Sequence, residues 1–194
     1  MKKILQVSVV ICVAVLLGGP ALAQTAVAPP PRPAGSGPSL AVTMQFIQAK
    51  LSEQGKVNFA VYSHNNANGT DWTNLMSEEN TNVAADPSTC RISYHWKATR
   101  DGAVTFDQDY WFSLRDVQKL EVRTGEQNQK KVDTDAGNPS LDTRVDPPFF
   151  ALVARRPGNI ENHFLFTDED TANRVAKAMV HAVELCGGGD KDPF

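Results

Sequence analysis

Residues 162–189, NHFLFTDEDTANRVAKAMVHAVELCGGG, decide the fold class. The first five residues read as a short strand. Thr167 and Asp170 then have capping-box spacing, and Asp168 and Glu169 add negative charge to the first turn of a helix. Ala172, Val175, Ala176, Met179, Val183 and Cys186 recur at helical spacing. Gly187, Gly188 and Gly189 supply a left-handed stop. A helix with such an apolar stripe needs a surface to lie on, and nearly everything before it reads as β-structure. The expected class is therefore α+β, with a long C-terminal helix closing a set of strands.

The chain has 194 residues and is 41% hydrophobic, which suits one globular domain of ordinary core size. Its formal charge of −3 gives no basic balance or stripe of the kind that nucleic-acid binding needs. The N-terminus has the three parts of a secretory signal. Lys2 and Lys3 are the positive start, residues 4–17 the apolar core, and Ala21-Leu22-Ala23 the small-x-small cleavage pattern before Gln24. Loss of residues 1–23 takes the charge from −3 to −5, because Lys2 and Lys3 go with them. Cys12 lies inside the apolar core, without the small residues just before it that a lipidated cysteine needs. Residues 24–38 are rich in Pro, Ala and Gly and read as an extended linker. The globular domain is expected at 39–189, with a short tail at 190–194. This address is periplasmic or secreted.

Within the domain, Ser39 is a plausible N-cap for a helix over residues 39–54. Leu40, Met44, Ile47 and Leu51 form its stripe, Phe46 widens it and Gly55 stops it. Residues 57–63 (VNFAVYS) form a strand, and HNNANGTD at 64–71 a turn with an Asn-Gly step. Residues 72–84 are a less regular strand with room for a bulge. Residues 90–99 give the clearest alternation, with Cys90, Ile92, Tyr94, Trp96 and Ala98 on one face. Asp101-Gly102 signals a hairpin into residues 104–112, where Val104, Phe106, Tyr110 and Phe112 share the core face and Trp111 is out of phase. Trp111, and Phe149 and Val153 in a strand apolar on both faces, have two readings: a binding surface, or, as the simpler expectation, the place where the first helix packs through Met44, Ile47 and Leu51. A helical turn at Ser113 precedes a strand at 117–123. Residues 124–146 are polar and read as a long mobile loop. Strands follow at 149–155 and 160–166. That makes about seven strands between two helices.

Cys90 and Cys186 are the two cysteines left after cleavage. An even count in an exported domain suggests a disulfide. Cys90 opens a strand on its core-facing register, and Cys186 ends the buried stripe of the closing helix. The bridge would close a loop of about 97 residues, worth roughly 4–5 kcal/mol in the chain-entropy treatment. No HxxxH or Cys/His zinc spacing, Gly-rich phosphate loop or GxSxG elbow is present, so no cofactor or metal is expected. The run Asp133-Thr-Asp135-Ala-Gly137 lacks the closing glutamate of a calcium loop and reads as solvated. Asp107 and Asp109 share a strand face, as solvated pairs commonly do.

Seven short antiparallel strands followed by one amphipathic helix resembles the pleckstrin-homology-like fold, over residues 57–187. The resemblance implies a bent sandwich with the final helix closing one end. Here an extra N-terminal helix is added. The mature chain is also similar to a family of uncharacterised exported bacterial proteins, through TMQFIQAKL, CRISYHW and FTDEDTANRVAKAMVHAVELCGG. Phosphoinositide-binding members of the pleckstrin-homology group use cations around the first hairpin. HNNANGTD has no lysine or arginine, and the charge is acidic, so headgroup or anionic-membrane binding is not expected. The fold further implies an unpaired strand edge beside the closing helix. Here that edge is VQKLEVR, and the expected partner groove comprises Val117, Leu120, Val122, Asn173, Lys177 and His181. Lys119, Glu121 and Arg123 read as charges guarding the edge.

Two functional readings follow. The first is a non-catalytic interaction module of the cell envelope with an unidentified protein or peptide partner. The second is an enzyme or metal-dependent protein whose site is assembled from distant histidines, His163 or His181, and carboxylates. The export signal is directly testable. Intact-mass analysis of the exported protein should show a chain beginning at Gln24; retention of Met1 would refute processing after Ala23.

Overall fold

The fold is that of a computed structural model, which describes residues 37–189. The expected signal peptide, almost all of the linker and the tail at 190–194 lie outside the described residues. Ser39, in extended backbone, accepts a hydrogen bond from the Val42 amide and starts α1 (Leu40–Glu53). Thr43, Met44, Ile47 and Leu51 form its buried face. Gly55, at φ +58°, takes the left-handed position beyond its end. Four strands follow as a meander: β1 (Lys56–Asn65), β2 (Thr70–Asp86), β3 (Arg91–Arg100) and β4 (Ala103–Ser113). The bulge expected in the second strand lies between Thr81 and Ala84, where Asn82 has φ +52°. A 3-10 turn, Leu114–Asp116, capped by Ser113, leads to β5 (Lys119–Thr124).

The loop expected at 124–146 is instead a helix and a strand, α2 (Gly125–Asp135) and β6 (Leu141–Asp146). The helix has no apolar stripe, which is why periodicity missed it. It forms through local polar bonds. Thr124 and Gln127 make a reciprocal capping box, and Gln129 to Asp133 and Lys131 to Asp135 are one turn apart. Its docking is polar too: buried Asp133 accepts from the Thr143 hydroxyl of β6 at 2.8 Å. The Asp133–Gly137 run is thus the end of a helix and not a solvated loop. The chain closes with β7 (Phe150–Arg156), β8 (Ile160–Phe166) and α3 (Glu169–Leu185).

The described residues therefore form a mixed α+β domain with eight strands, all paired antiparallel, in two sheets. The large sheet has the order β4-β3-β2-β1-β6 and the small sheet β5-β7-β8. The small sheet is buried on both faces around β7, as its continuous apolar run suggests. Leu152 and Ala154 join α3, α1, Ile92, Tyr94 and Phe112 in one core. Ala151 and Val153 meet Val57, Phe59, Val61 and Val145 of β1 and β6 in a second.

Three assignments of side chains change in three dimensions. α1 packs on α3 and β2, not over Trp111, Phe149 and Val153. Phe149 and Val153 are buried by β1 and β6, while Trp111 remains 56% exposed with the Arg91 guanidinium 3.9 Å above its ring. Val104 and Phe106, expected inside, are 55% and 47% exposed: a bulge in β4 pairs Val104 with Thr99 and turns it to the outer face, while Phe106 stacks on the half-buried Trp96 ring at the margin of the core. Finally, the cap of α3 is Asp168, which accepts from the Thr171 amide, rather than a Thr167–Asp170 box. β8 ends at fully buried Phe166 as expected, and Thr167 is the link between the strand and the Asp168 cap.

At its other end α3 is pinned three ways. Gly187, at φ +74°, makes a Schellman ending, with Gly188 N–H bonded to the Val183 carbonyl and Gly187 N–H to that of Glu184. The expected disulfide joins Cys186 to Cys90, with Cα atoms 6.0 Å apart and a sequence separation of 96. Cys90 sits just before β3 at φ +56°, not in the strand itself. The backbone of Gly188 lies against the 3-10 turn so closely that a Cβ there would stand 2.4 Å from the Leu114 carbonyl oxygen. Gly188→Ala should therefore cost about 1–3 kcal/mol by overpacking against unyielding backbone. Urea unfolding of the oxidised protein measures this; an unchanged midpoint would contradict the contact.

Candidate functional site

The candidate partner groove is built from β5 and α3. β5 is an edge strand, bonded only to β7. Gly125 N–H donates to the Phe149 carbonyl, the next step of the same ladder. In an antiparallel pair the inward and outward backbone groups alternate. Glu121 and Arg123 thus face β7, and Leu120, Val122 and Thr124 present N–H and C=O to the open edge. The outward amide of Thr124 is taken by the Gln127 side chain at 3.0 Å. Those of Leu120 and Val122 have no strand beyond them among the described residues. Their side chains are half-buried in the core beneath α3.

The structure gathers only part of the expected set here. Leu120 and Val122 lie on the edge strand, and Asn173 and Lys177 on the adjoining helix, half-exposed and exposed respectively. Val117 precedes the strand. It is buried, and its carbonyl is occupied by Gly189 N–H at 3.1 Å. His181 is turned toward the lead-in of α1, with Nε2 2.9 Å from the Pro38 carbonyl and Nδ1 3.9 Å from Glu184.

The opposite face of the small sheet carries a network built from the charges expected to guard the edge, Lys119, Glu121 and Arg123. Cross-strand register sets Lys119, Arg155 and Glu161 in one row and Glu121, Val153 and His163 in the next. Arg123, one row further, reaches back so that Nη1 and Nη2 each lie 3.0 Å from a Glu161 oxygen. Arg155 adds Nε at 3.1 Å and Nη2 at 3.0 Å to the same carboxylate. Glu121 bonds Arg123 and Lys119. The signal in sequence was the two-residue spacing of Lys119, Glu121 and Arg123 in β5 and of Glu161 and His163 in β8; that Arg155 of β7 lies between them is visible only once the register is known.

The electrostatics follow from these contacts. Arg123 above all holds the Glu161 carboxyl down to about 2, against partial burial. Burial opposes ionisation of Glu121, yet Lys119 and Arg123 together keep its pKa low. Burial holds His163 below the ordinary histidine value, although Glu161, 3.3 Å from its Nε2, pulls the other way. A carboxylate at about 2, with both oxygens bonded to guanidinium groups, is a poor general base at neutral pH. Its chemistry here is that of a structural tie. The remaining histidines lie on the outer face of the large sheet. His64 is bonded to Asp71 at 2.8 Å. His95 is bonded to Asp109 and Asp107, both at 2.9 Å, which raise its pKa. Among the described residues no group of three or more His, Cys, Asp or Glu side chains is placed to hold a metal ion.

The depressed pKa of Glu161 means that its stabilisation is complete above the ordinary value of 4.5 and is lost as pH falls toward about 2. Glu161→Gln should lose stability at neutral pH and show a flatter decline across that interval. Arg123→Ala, which leaves Glu161 with Arg155 as its remaining guanidinium partner, should cost about 1.5–3 kcal/mol at pH 7, the loss of charge-assisted hydrogen bonds. Denaturant titrations from pH 2 to 7 read both.

Comparison with family models, with curated proteins and with solved structures finds no match to this chain.

Proposed function

We propose that the chain is an exported, non-catalytic interaction module of the bacterial cell envelope, built on a pleckstrin-homology-like frame, that receives an extended peptide along β5 beside α3. The element order supports the frame. The meander β1–β4, then β5, β7 and β8, then α3 is the seven-strand-and-helix order, with α2 and β6 inserted between its fifth and sixth strands. The export signal in residues 1–23 supports the address.

The observation that carries the reading is the open ladder at Leu120 and Val122. Outward backbone groups are a template for strand addition, and the flanking helix gives the added strand a wall to pack on. A peptide in this position would place alternate side chains against α3, where Asn173 and Lys177 discriminate among them. His181 and Val117 are engaged by Pro38 and Gly189 and lie outside the recognition surface.

Val122→Pro removes one outward N–H without breaking a bond to β7. A pull-down of envelope proteins with the wild-type domain should yield a partner whose binding falls at least about tenfold in a folded Val122→Pro variant, an effect of one backbone bond and the ring's obstruction. Partner addition should also slow hydrogen exchange at the Leu120 and Val122 amides. Undiminished binding by the variant would refute the proposal.

A further inference from the structure

The face of the small sheet away from α3 holds a second concave feature, independent of the β5 edge. A groove of about 590 Å³ runs between α2 and the β7–β8 hairpin. Lys131 and Asp135 line it from the helix, Arg155, Glu161 and His163 from the strands, and Asn159 from the turn between them.

The charges around it do not cancel. Lys119, Arg123, Arg155 and Lys131 bring four positive charges; Glu121, Glu161 and Asp135 bring three negative ones. One positive charge is left over in a chain whose total is −3. The surplus sits at the rim. Glu161 is saturated by Arg123 and Arg155, but the Arg155 Nη1 makes no hydrogen bond among the described residues. Lys131 is held only by Asp135, one turn along an exposed helix surface, and such pairs exchange readily with other anions. Asn159, at φ +59° in the hairpin turn, presents an exposed side-chain amide.

We infer that this groove is a binding site for a small oxyanion, a phosphate or carboxylate group, held between Lys131 of α2 and Arg155 of β7. Lys131 exchanges Asp135 for the ligand, Arg155 offers its unused guanidinium nitrogen, and Asn159 donates from the turn. Charge-assisted bonds of this kind are the strong ones, and the two N–H groups of the free Nη1 can donate to either oxyanion. Glu161 keeps its role of fixing Arg155, and the carboxylate does not repel the ligand because Arg123 neutralises it. His163 lies in the floor and reports on occupancy. The charges that face it are Glu161 and Arg123 on the sheet and Lys131 on the helix, and an added anion would favour its protonated form.

The test is an NMR titration of the full chain with inorganic phosphate and, separately, with acetate, at constant ionic strength set by chloride. Saturable movement of the His163 ring resonances and an upward shift of its titration midpoint are expected. A tighter response to phosphate assigns a phosphate site and a tighter response to acetate a carboxylate site. Lys131→Gln should weaken binding at least about tenfold, the loss of one charge-assisted contact. Asp135→Asn, which frees Lys131, should tighten it, a gain that misfolding cannot produce. Absence of saturable movement with both anions, or equal affinity in the wild type and both variants, overturns the assignment.

Discussion

The domain depends on the burial of β7 from both sides. Ala151, Leu152, Val153 and Ala154 are all fully buried, a run that no two-layer arrangement could cover. One face needs β1 and β6, the other needs α3, and the small sheet becomes the middle layer. Each large residue in that run removes on the order of 2 kcal/mol of apolar surface from water, so a strand open on either face would forfeit most of the gain. β5 and β8 are held on either side of this strand, and the position of the open edge follows from it.

α3 converts this layering into a single unit. Its stripe of Ala172, Val175, Met179, Ala182 and Val183 lies on the small sheet, and α1 packs against it in turn. The Cys90–Cys186 bridge ties its end to the start of β3, so the closing helix and the large sheet share one covalent loop. A buried polar chain adds a second link between the sheets: Arg156 donates to Asn162, and Asn162 donates to the Tyr94 hydroxyl at 2.8 Å. Burial pushes Tyr94 up to about 12, so the phenol stays protonated.

The face of the small sheet toward β1 and β6 is divided along its length. The half with Ala151 and Leu165 is dry and sealed by β1 and β6; the half with Lys119, Glu121, Arg155 and Glu161 is ionic and opens beneath α2. Arg123 belongs to the first half by register but spends its charge in the second. Such an extended ionic tie is favourable only because each carboxylate meets more than one cation and remains partly hydrated. The two surfaces of this sheet thus offer different chemistry, a backbone edge beside an apolar helix on one side and a polar groove on the other.

Residue order alone determined the export signal as an expectation, the α+β class, the bulge in the second strand and the pairing of Cys90 with Cys186. Each rests on a local pattern: charge and apolar length, alternation, or an even cysteine count with both residues on buried registers. Local pattern failed where the stabilising groups were polar or distant. α2 has no stripe and stands on Thr124, Gln127 and Asp133, so polarity was read as mobility. Val104 and Phe106 keep the spacing of the core face in sequence yet remain exposed, Val104 because a bulge pairs it with Thr99 on the other face, and Phe106 because alternation reports a face and not how far another layer reaches over it. The same holds for function. Leu120 and Val122 could be placed on an edge from order, but His181 and Val117 were drawn away by Pro38 and Gly189. The ionic groove needed the register of three strands before Arg123, Arg155 and Glu161 could be seen to converge. Periodicity along one chain defines which side of an element is apolar; only packing decides what that side, or the polar one behind it, will meet.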